Sequence, residues 1–342
     1  MDLRKAKARA AQHRLYRVGI AALLTAALAA ASFHAVRSVS AAEEKYPSKP
    51  ITILVGFAAG SASDTAARLQ GDALSKILGV PFVVRNVPGA GGRNAVTMLS
   101  RANPDGYTMA MINVPGQIVE QVVRGLPPDL RNFTWIGRQV SQRYFLQASA
   151  KSPWTSLQQM KQAKKPIPLG ATGTGGNMFP ITVIAADIVG LPLRFIFGFK
   201  APELITGIIR GDFEITAMPL FTAWYSAVEK GEARAIVIFG PGRHPLWPDL
   251  PVGDELGFPE LSQPTLVGQN LYALPPRTPA AIAEKLEKAL AEVARDEQVV
   301  KKIEADGNLV RPLNGKEAAA LVGDMIQLVE KNKDLLNKYV KK

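Results

Sequence analysis

The sequence predicts an α/β protein made of two α/β units in tandem. Three observations carry that expectation. Short apolar runs alternate with amphipathic runs between residues 51 and 112, and the same alternation returns between 167 and 239. The 342 residues suffice for about two domains, each with its own core. A 47% hydrophobic and 20% charged composition is that of a globular chain, not a disordered one.

The first unit opens on residues 51–56, Ile-Thr-Ile-Leu-Val-Gly, a buried strand. Residues 63–78 follow as a helix, with Ala66, Leu69, Ala73, Leu74, Ile77 and Leu78 at helical spacing and Gly79 as its stop. Residues 81–87 read as a strand, 91–102 as a helix and 107–112 as a third strand. That βαβαβ order is the signature of a parallel sheet with helices on both faces. The second unit runs strand 167–171, helix 176–189, strand 194–198, helix 201–210 and strand 213–218, with one more strand at 234–239. Residues 266–274 read as extended again, and 279–294, 297–306 and 315–339 as helices. Ile282, Leu286, Leu290 and Val293 mark one face of the first of these.

The late strand and helices need a sheet to pack on. The economical arrangement inserts one domain into the other: domain 1 holds 46–145 plus 266–342, domain 2 holds 146–265. Two crossings, near 144–149 and 267–274, then form a hinge, and the cleft between domains is the expected ligand site.

The charge balance, 41 Lys+Arg against 29 Asp+Glu, gives +12. Six of those charges sit in residues 1–42, which hold seven Lys/Arg and Asp2. Arg4 to Arg17 form a basic stretch, 18–31 is an uncharged Ala/Leu-rich run, and Ser40-Ala41-Ala42 offers small residues before Glu43. This is the layout of a cleaved signal peptide, and the apolar run is short of the roughly 20 residues that span a bilayer. The expected product starts at Glu43, is periplasmic and carries +6. Its basic residues are dispersed, with no stripe for nucleic acid. The chain has no cysteine, which excludes disulfides, thiol nucleophiles and lipid attachment through sulfur.

Two loops could carry chemistry. Phe57, Ala58, Ala59, Gly60, Ser61, Ala62, Ser63 and Asp64 lead from the carboxyl end of a strand into a helix. Open α/β sheets bind ligands at such places, and a helix N-terminus favours an anion. Ser61 and Asp64 also fit a capping box, so an ordinary capped helix explains the pattern equally well. The Gly-Lys-Ser/Thr ending of a phosphate loop is missing. Thr172, Gly173, Thr174, Gly175, Gly176 and Asn177 repeat the arrangement in the second unit. Facing each other across a cleft, the two loops could clamp a small anion. A third segment, residues 88–94, Pro-Gly-Ala-Gly-Gly-Arg-Asn, reads as a turn.

Several motifs occur in one order: Tyr-Pro-Ser-Lys-Pro-Ile at 46–51, Gly-Phe-Ala-Ala-Gly at 56–60 and Asn-Val-Pro-Gly-Ala-Gly-Gly at 86–92. Pro-Asp-Gly-Tyr-Thr at 104–108, Gly-Ala-Thr-Gly at 170–173 and Pro-Asp-Leu-Pro at 248–251 follow. With these the chain, from Tyr46 onward, resembles the Bug family, the TctC-type extracytoplasmic receptors of tripartite tricarboxylate transporters. The resemblance implies a type II periplasmic-binding-protein fold, capture of a small organic carboxylate by hydrogen bonds from the two loops, and delivery to membrane permease subunits. It places Asp64 as the loop-closing acid and adds Asn113 and Met218 to the site. A sensory receptor that meets a signalling ectodomain is the alternative, and a secreted enzyme a remote one. A monomer without cofactor or metal is expected.

This sequence departs from the family pattern at 60–64, Gly-Ser-Ala-Ser-Asp, where relatives carry more glycine, and at Met178, Phe179, Ala217 and Met218, where polar residues are common. Those apolar positions suggest a ligand with an apolar or aromatic body, unless they are simply core. Lys200 stands where it could reach the cleft or solvent alike. Enzymatic chemistry has little to work with. His244 is the single histidine after residue 42, in a stretch matching a surface turn of the family, with no Gly-x-Ser-x-Gly elbow beside it.

Overall fold

The computed structural model describes residues 46–340. The expected signal peptide and its cleavage site lie outside the described residues. Among those described, no helix is long and apolar enough to cross a membrane.

The first βαβαβ run folds as β1 (Ile51–Val55), α1 (Ala62–Leu78), β2 (Phe82–Asn86), α2 (Arg93–Ser100) and β3 (Thr108–Asn113). β1 pairs in parallel with both β2 and β3. Its apolar run is explained by burial on both faces, with Ile51, Ile53 and Val55 covered on one and Leu54 on the other. α1 stops where Gly79 turns left-handed (φ 71°) and its N–H meets the Ser75 carbonyl. Ala66, Ala73 and Leu74 face the core as expected, whereas Ile77 is exposed.

The sheet is completed by β4 (Thr134–Gln142), β10 (Gly268–Leu274) and β11 (Leu309–Leu313), in the order β11-β4-β10-β3-β1-β2. β10 runs antiparallel to β3 and β4, and β11 antiparallel to β4, so the sheet is mixed rather than purely parallel. After β3 comes a helix that periodicity did not reveal, α3 (Val114–Val122), buried along almost its whole length.

The second sheet holds β5 (Tyr144–Ser149), β6 (Ile167–Gly170), β7 (Leu193–Ile196), β8 (Ile215–Pro219) and β9 (Ala233–Ile238), ordered β7-β6-β8-β5-β9. β6 is parallel to β7 and β8, and β5 is antiparallel to β8 and β9. Around it lie α4 (Leu157–Lys161), α5 (Met178–Val189), α6 (Ala201–Arg210) and α7 (Thr222–Glu229). The chain passes between the sheets with a single residue, Arg143, separating β4 from β5, and returns in β10. The C-terminal part adds α8 (Ala280–Val293), α9 (Glu297–Glu304), α10 (Gly315–Lys331) and α11 (Lys333–Val340). The expected single helix over 315–339 breaks at Asn332, whose Nδ2 donates to the Leu328 carbonyl at 2.8 Å.

α5 belongs to both cores. Met178, Ile181, Ile184 and Val189 pack with the second sheet, while Phe179 and Val183 pack with α3, α10 and the first sheet. A helix apolar all round its circumference is what such double burial requires. Phe179 also meets Phe195 edge-on at 5.6 Å, and Phe195 meets Tyr339 of α11 at 5.1 Å.

His244 is not a surface residue. It is 1% exposed, its Nε2 lies 3.1 Å from the Gly307 carbonyl, and its Nδ1 accepts the Leu246 N–H at 3.2 Å. The residues around Gly307, remote in sequence, cover what reads locally as a turn. Those contacts fix the neutral tautomer with the proton on Nε2. Burial holds the imidazole below its ordinary value of 6.5; the Gly307 bond opposes this and the Arg143 charge adds to it. Between that ordinary value and the lower folded one, the unfolded chain binds more protons. Stability is therefore expected to fall as pH drops from about 6.5 through the folded value. An imidazole proton resonance titrating at or above 6.5 would contradict this.

Candidate functional site

The first loop is built by β1 and held by one carboxylate. Ser61 caps α1, its Oγ accepting the Asp64 N–H at 3.3 Å. The reciprocal half of the capping box shifts by one residue: Asp64 Oδ2 accepts from the Gly60 N–H at 2.9 Å. Gly60 is in the left-handed region (φ 78°), which lets its N–H turn inward. Asp64 also receives Arg68 Nε at 3.1 Å and Asn86 Nδ2 at 2.9 Å, and pairs with Arg68 Nη2 at 2.9 Å. Asn86 Nδ2 reaches the Phe57 carbonyl as well, at 2.9 Å. Burial pushes the Asp64 carboxyl up, but the bonds from Arg68, Gly60 and Asn86 and the Arg68 charge outweigh it, so the group titrates below its ordinary range. Asp64 is 3% exposed. It ties the loop to β2, and leaves Ala58, Ala59 and Gly60 at the surface. Sequence reasoning assigned Asp64 but missed Arg68 and Asn86, which complete its environment.

The second loop leaves β6 and opens α5. Asn177 stands at the helix start with no side-chain cap bond to its own helix. Its Oδ1 instead accepts the Gly116 N–H of α3, at 3.2 Å. Gln117 Nε2, also on α3, donates to the Gly175 carbonyl at 3.2 Å and to the Gly91 carbonyl at 2.7 Å. Thr174 Oγ1 donates to Glu120 Oε1 at 3.4 Å, and Glu120, 2% exposed, pairs with Arg124 at 3.1 Å. Thr172 is exposed, and Gly173 and Gly176 are half-buried. The loop is thus docked on the first two turns of α3.

The third segment, read as a turn, lies between the two loops. A Cβ on Gly56 would stand 2.5 Å from Gly92 Cα, and a Cβ on Gly91 would stand 2.5 Å from Gly175 Cα. Backbone meets backbone on both sides, which only glycine permits. The structure therefore brings Phe57–Asp64 and Thr172–Asn177 to opposite sides of one glycine-rich strap.

Asn113, the last residue of β3, donates through Nδ2 to Asn270 Oδ1 at 2.8 Å. Met218 on β8 is 2% exposed and packs in the second sheet's core, as does Met178. Phe179 is fully buried in the first. Their packing accounts for their apolarity. Lys200 is exposed at the start of α6, with its backbone N–H bonded to Glu203. Both His244 ring nitrogens are engaged by backbone groups. Among the described residues no group of His, Asp and Glu could hold a metal ion.

The profile of TctC, the tripartite tricarboxylate transporter family receptor, matches residues 66–338. The chain belongs to this family. A UPF0065 protein encoded in the gbd 5' region of Cupriavidus necator is 29% identical over 250 residues, covering 72% of this chain and 74% of that protein. The BugT protein of Bordetella pertussis is 25% identical, covering 83% and 88%. Among solved structures, MatC of Rhodopseudomonas palustris with bound malate superposes at a TM-score of 0.72. It has 23% identity, over 85% of this chain and all of that one. The TctC-family likeness in fold extends over both sheets, and three of the six motifs that suggested it lie in the first loop, the glycine strap and the second loop.

Proposed function

We propose that this protein is a periplasmic solute receptor that captures a small organic carboxylate between its first and second loops and hands it to the membrane subunits of a tripartite tricarboxylate-type permease. In this reading β4–β5 and β9–β10 are the two crossings of a hinge between a domain of 46–145 plus 266–342 and a domain of 146–265. The observation that carries it is the docking of the second loop on α3 beside the first loop, with a glycine strap between them. Two strand-to-helix loops from two sheets meet where open α/β sheets bind ligands. Asp64 turns the Gly60 N–H inward and leaves the rest of the loop's backbone to an anion. Contacts from both sides favour the docked form over an undocked one, so ligand and docking stabilise each other.

The chain starting at Glu43 is to be screened by thermal denaturation against mono- and dicarboxylic acids. A ligand at a hundred times its Kd adds about 2.7 kcal/mol of apparent stability. At least one acid is expected to raise the melting temperature. Asp64→Asn should weaken that acid about tenfold, a loss of about 1.4 kcal/mol, by loosening the Gly60 turn. No shift with any acid, or turnover of one, would overturn the proposal.

A further inference from the structure

Three buried side-chain amides are anchored at residues 113–117, around the start of α3, and each has one atom bonded and one without a partner. Asn270 Oδ1 accepts from Asn113 and Asn177 Oδ1 from Gly116, while both Nδ2 groups are unpartnered. Gln117 Nε2 donates to Gly91 and Gly175, while its Oε1 is unpartnered. None of the three is more than 3% exposed. They are tied to consecutive parts of one turn: Asn113 precedes α3, and Gly116 and Gln117 lie within it. Asn177 Nδ2 lies 3.2 Å from where a Cβ on Gly268 would stand, two residues before Asn270 on the same face of β10. A buried amide atom left unpaired costs about 1–3 kcal/mol, and three on amides that lie in or bond to the five residues 113–117 call for a partner.

We propose that these three amides form a subsite for a neutral hydroxyl or carboxamide group of the ligand. This rests on the receptor reading above. Two donors and one acceptor are complemented by a group that accepts twice and donates once. A hydroxyl does so, and a primary carboxamide does so. A carboxylate only accepts, and would set its charge against Gln117 Oε1. The start of a helix ordinarily favours an anion. Here Pro115 has no N–H, the Gly116 N–H is engaged by Asn177, and the Glu120 carboxylate is buried one turn further along. The ligand then has unlike ends: a carboxylate at the first loop and a neutral polar group at the amides.

The test is a nitrogen-15 NMR titration of the chain with two separate probes, acetamide and acetate. Acetamide is expected to move the side-chain NH2 resonances of Asn177 and Asn270 saturably, and acetate to move the backbone N–H groups of residues 59–63 instead. Asn270→Asp keeps the acceptor for Asn113 and replaces the free donor, and should weaken the acetamide response about tenfold. Side-chain resonances that ignore acetamide, as they would if the amides hold an ordered water only, would overturn the subsite. So would resonances that follow acetate equally. Either result leaves the receptor reading intact provided acetate still moves the first loop. Acetate moving neither loop counts against that reading alone.

Discussion

Arg143→Met is expected to lower the melting temperature by about 6–12 °C, from a loss of about 3 kcal/mol. Arg143 is the one residue between β4 and β5, and it is 2% exposed. Its guanidinium donates to the carbonyls of Phe239, Pro241 (2.7 Å), Gly240 (2.8 Å) and Gly242 (3.0 Å). Four carbonyls turned toward one planar donor fork explain the left-handed backbone of Gly240 and Gly242. Burial, with the Arg311 charge, lowers the group to about 10, so it stays charged at neutral pH. Methionine fills most of the volume but leaves those carbonyls without donors, at about 1–3 kcal/mol for each that water cannot reach. Removing the buried charge recovers part of that through its desolvation. Arg143→Lys should fall between the two, because an ammonium donates three bonds from one point. A melting temperature for Arg143→Met within about 1 °C of the parent protein would show that the carbonyls find other donors.

The same residue shows where the sequence was legible and where it was not. β1, β6, α1 and α5 announce themselves because their burial is apolar and regular, as in Ile51, Ile53 and Val55 or in the twelve residues of α5. β4 does not, because Arg138, Gln139 and Gln142 interrupt its apolar pattern. Arg138 is half-buried and bonds the Arg311 carbonyl and Gln269, partners more than a hundred residues away. The first loop was legible in Ser61 and Asp64, since capping is local. Arg68 lies one helical turn from Asp64, and Asn86 is supplied by the next strand. The second loop was legible as a loop. Its docking was not, because Gln117 and Asn177 act across 58 and 61 residues of sequence. Polar partners distant in sequence leave no period to read.

Docking makes the second large prediction, Gly116→Ala. A Cβ at Gly116 would stand 2.2 Å from the Gly175 oxygen and 2.6 Å from the Gly176 carbonyl carbon. Backbone atoms on the far side cannot yield as a flexible side chain would, so the second loop must move away. Within α3 itself alanine is the better helix former, by about 1 kcal/mol. α3 itself should therefore persist while docking is lost. With docking go the bonds Gly116 to Asn177, Gln117 to Gly175 and Thr174 to Glu120. At about 1 kcal/mol each, and about 1.4 kcal/mol per tenfold, affinity for the acid that stabilises the parent protein most should fall about 10- to 100-fold. Calorimetric titration measures this, and solution scattering of the variant should give a larger radius of gyration than the parent. The two readouts separate a closing surface from a merely tight turn. A tight turn would cost stability and leave affinity and shape alone. A closing surface costs affinity and shape together.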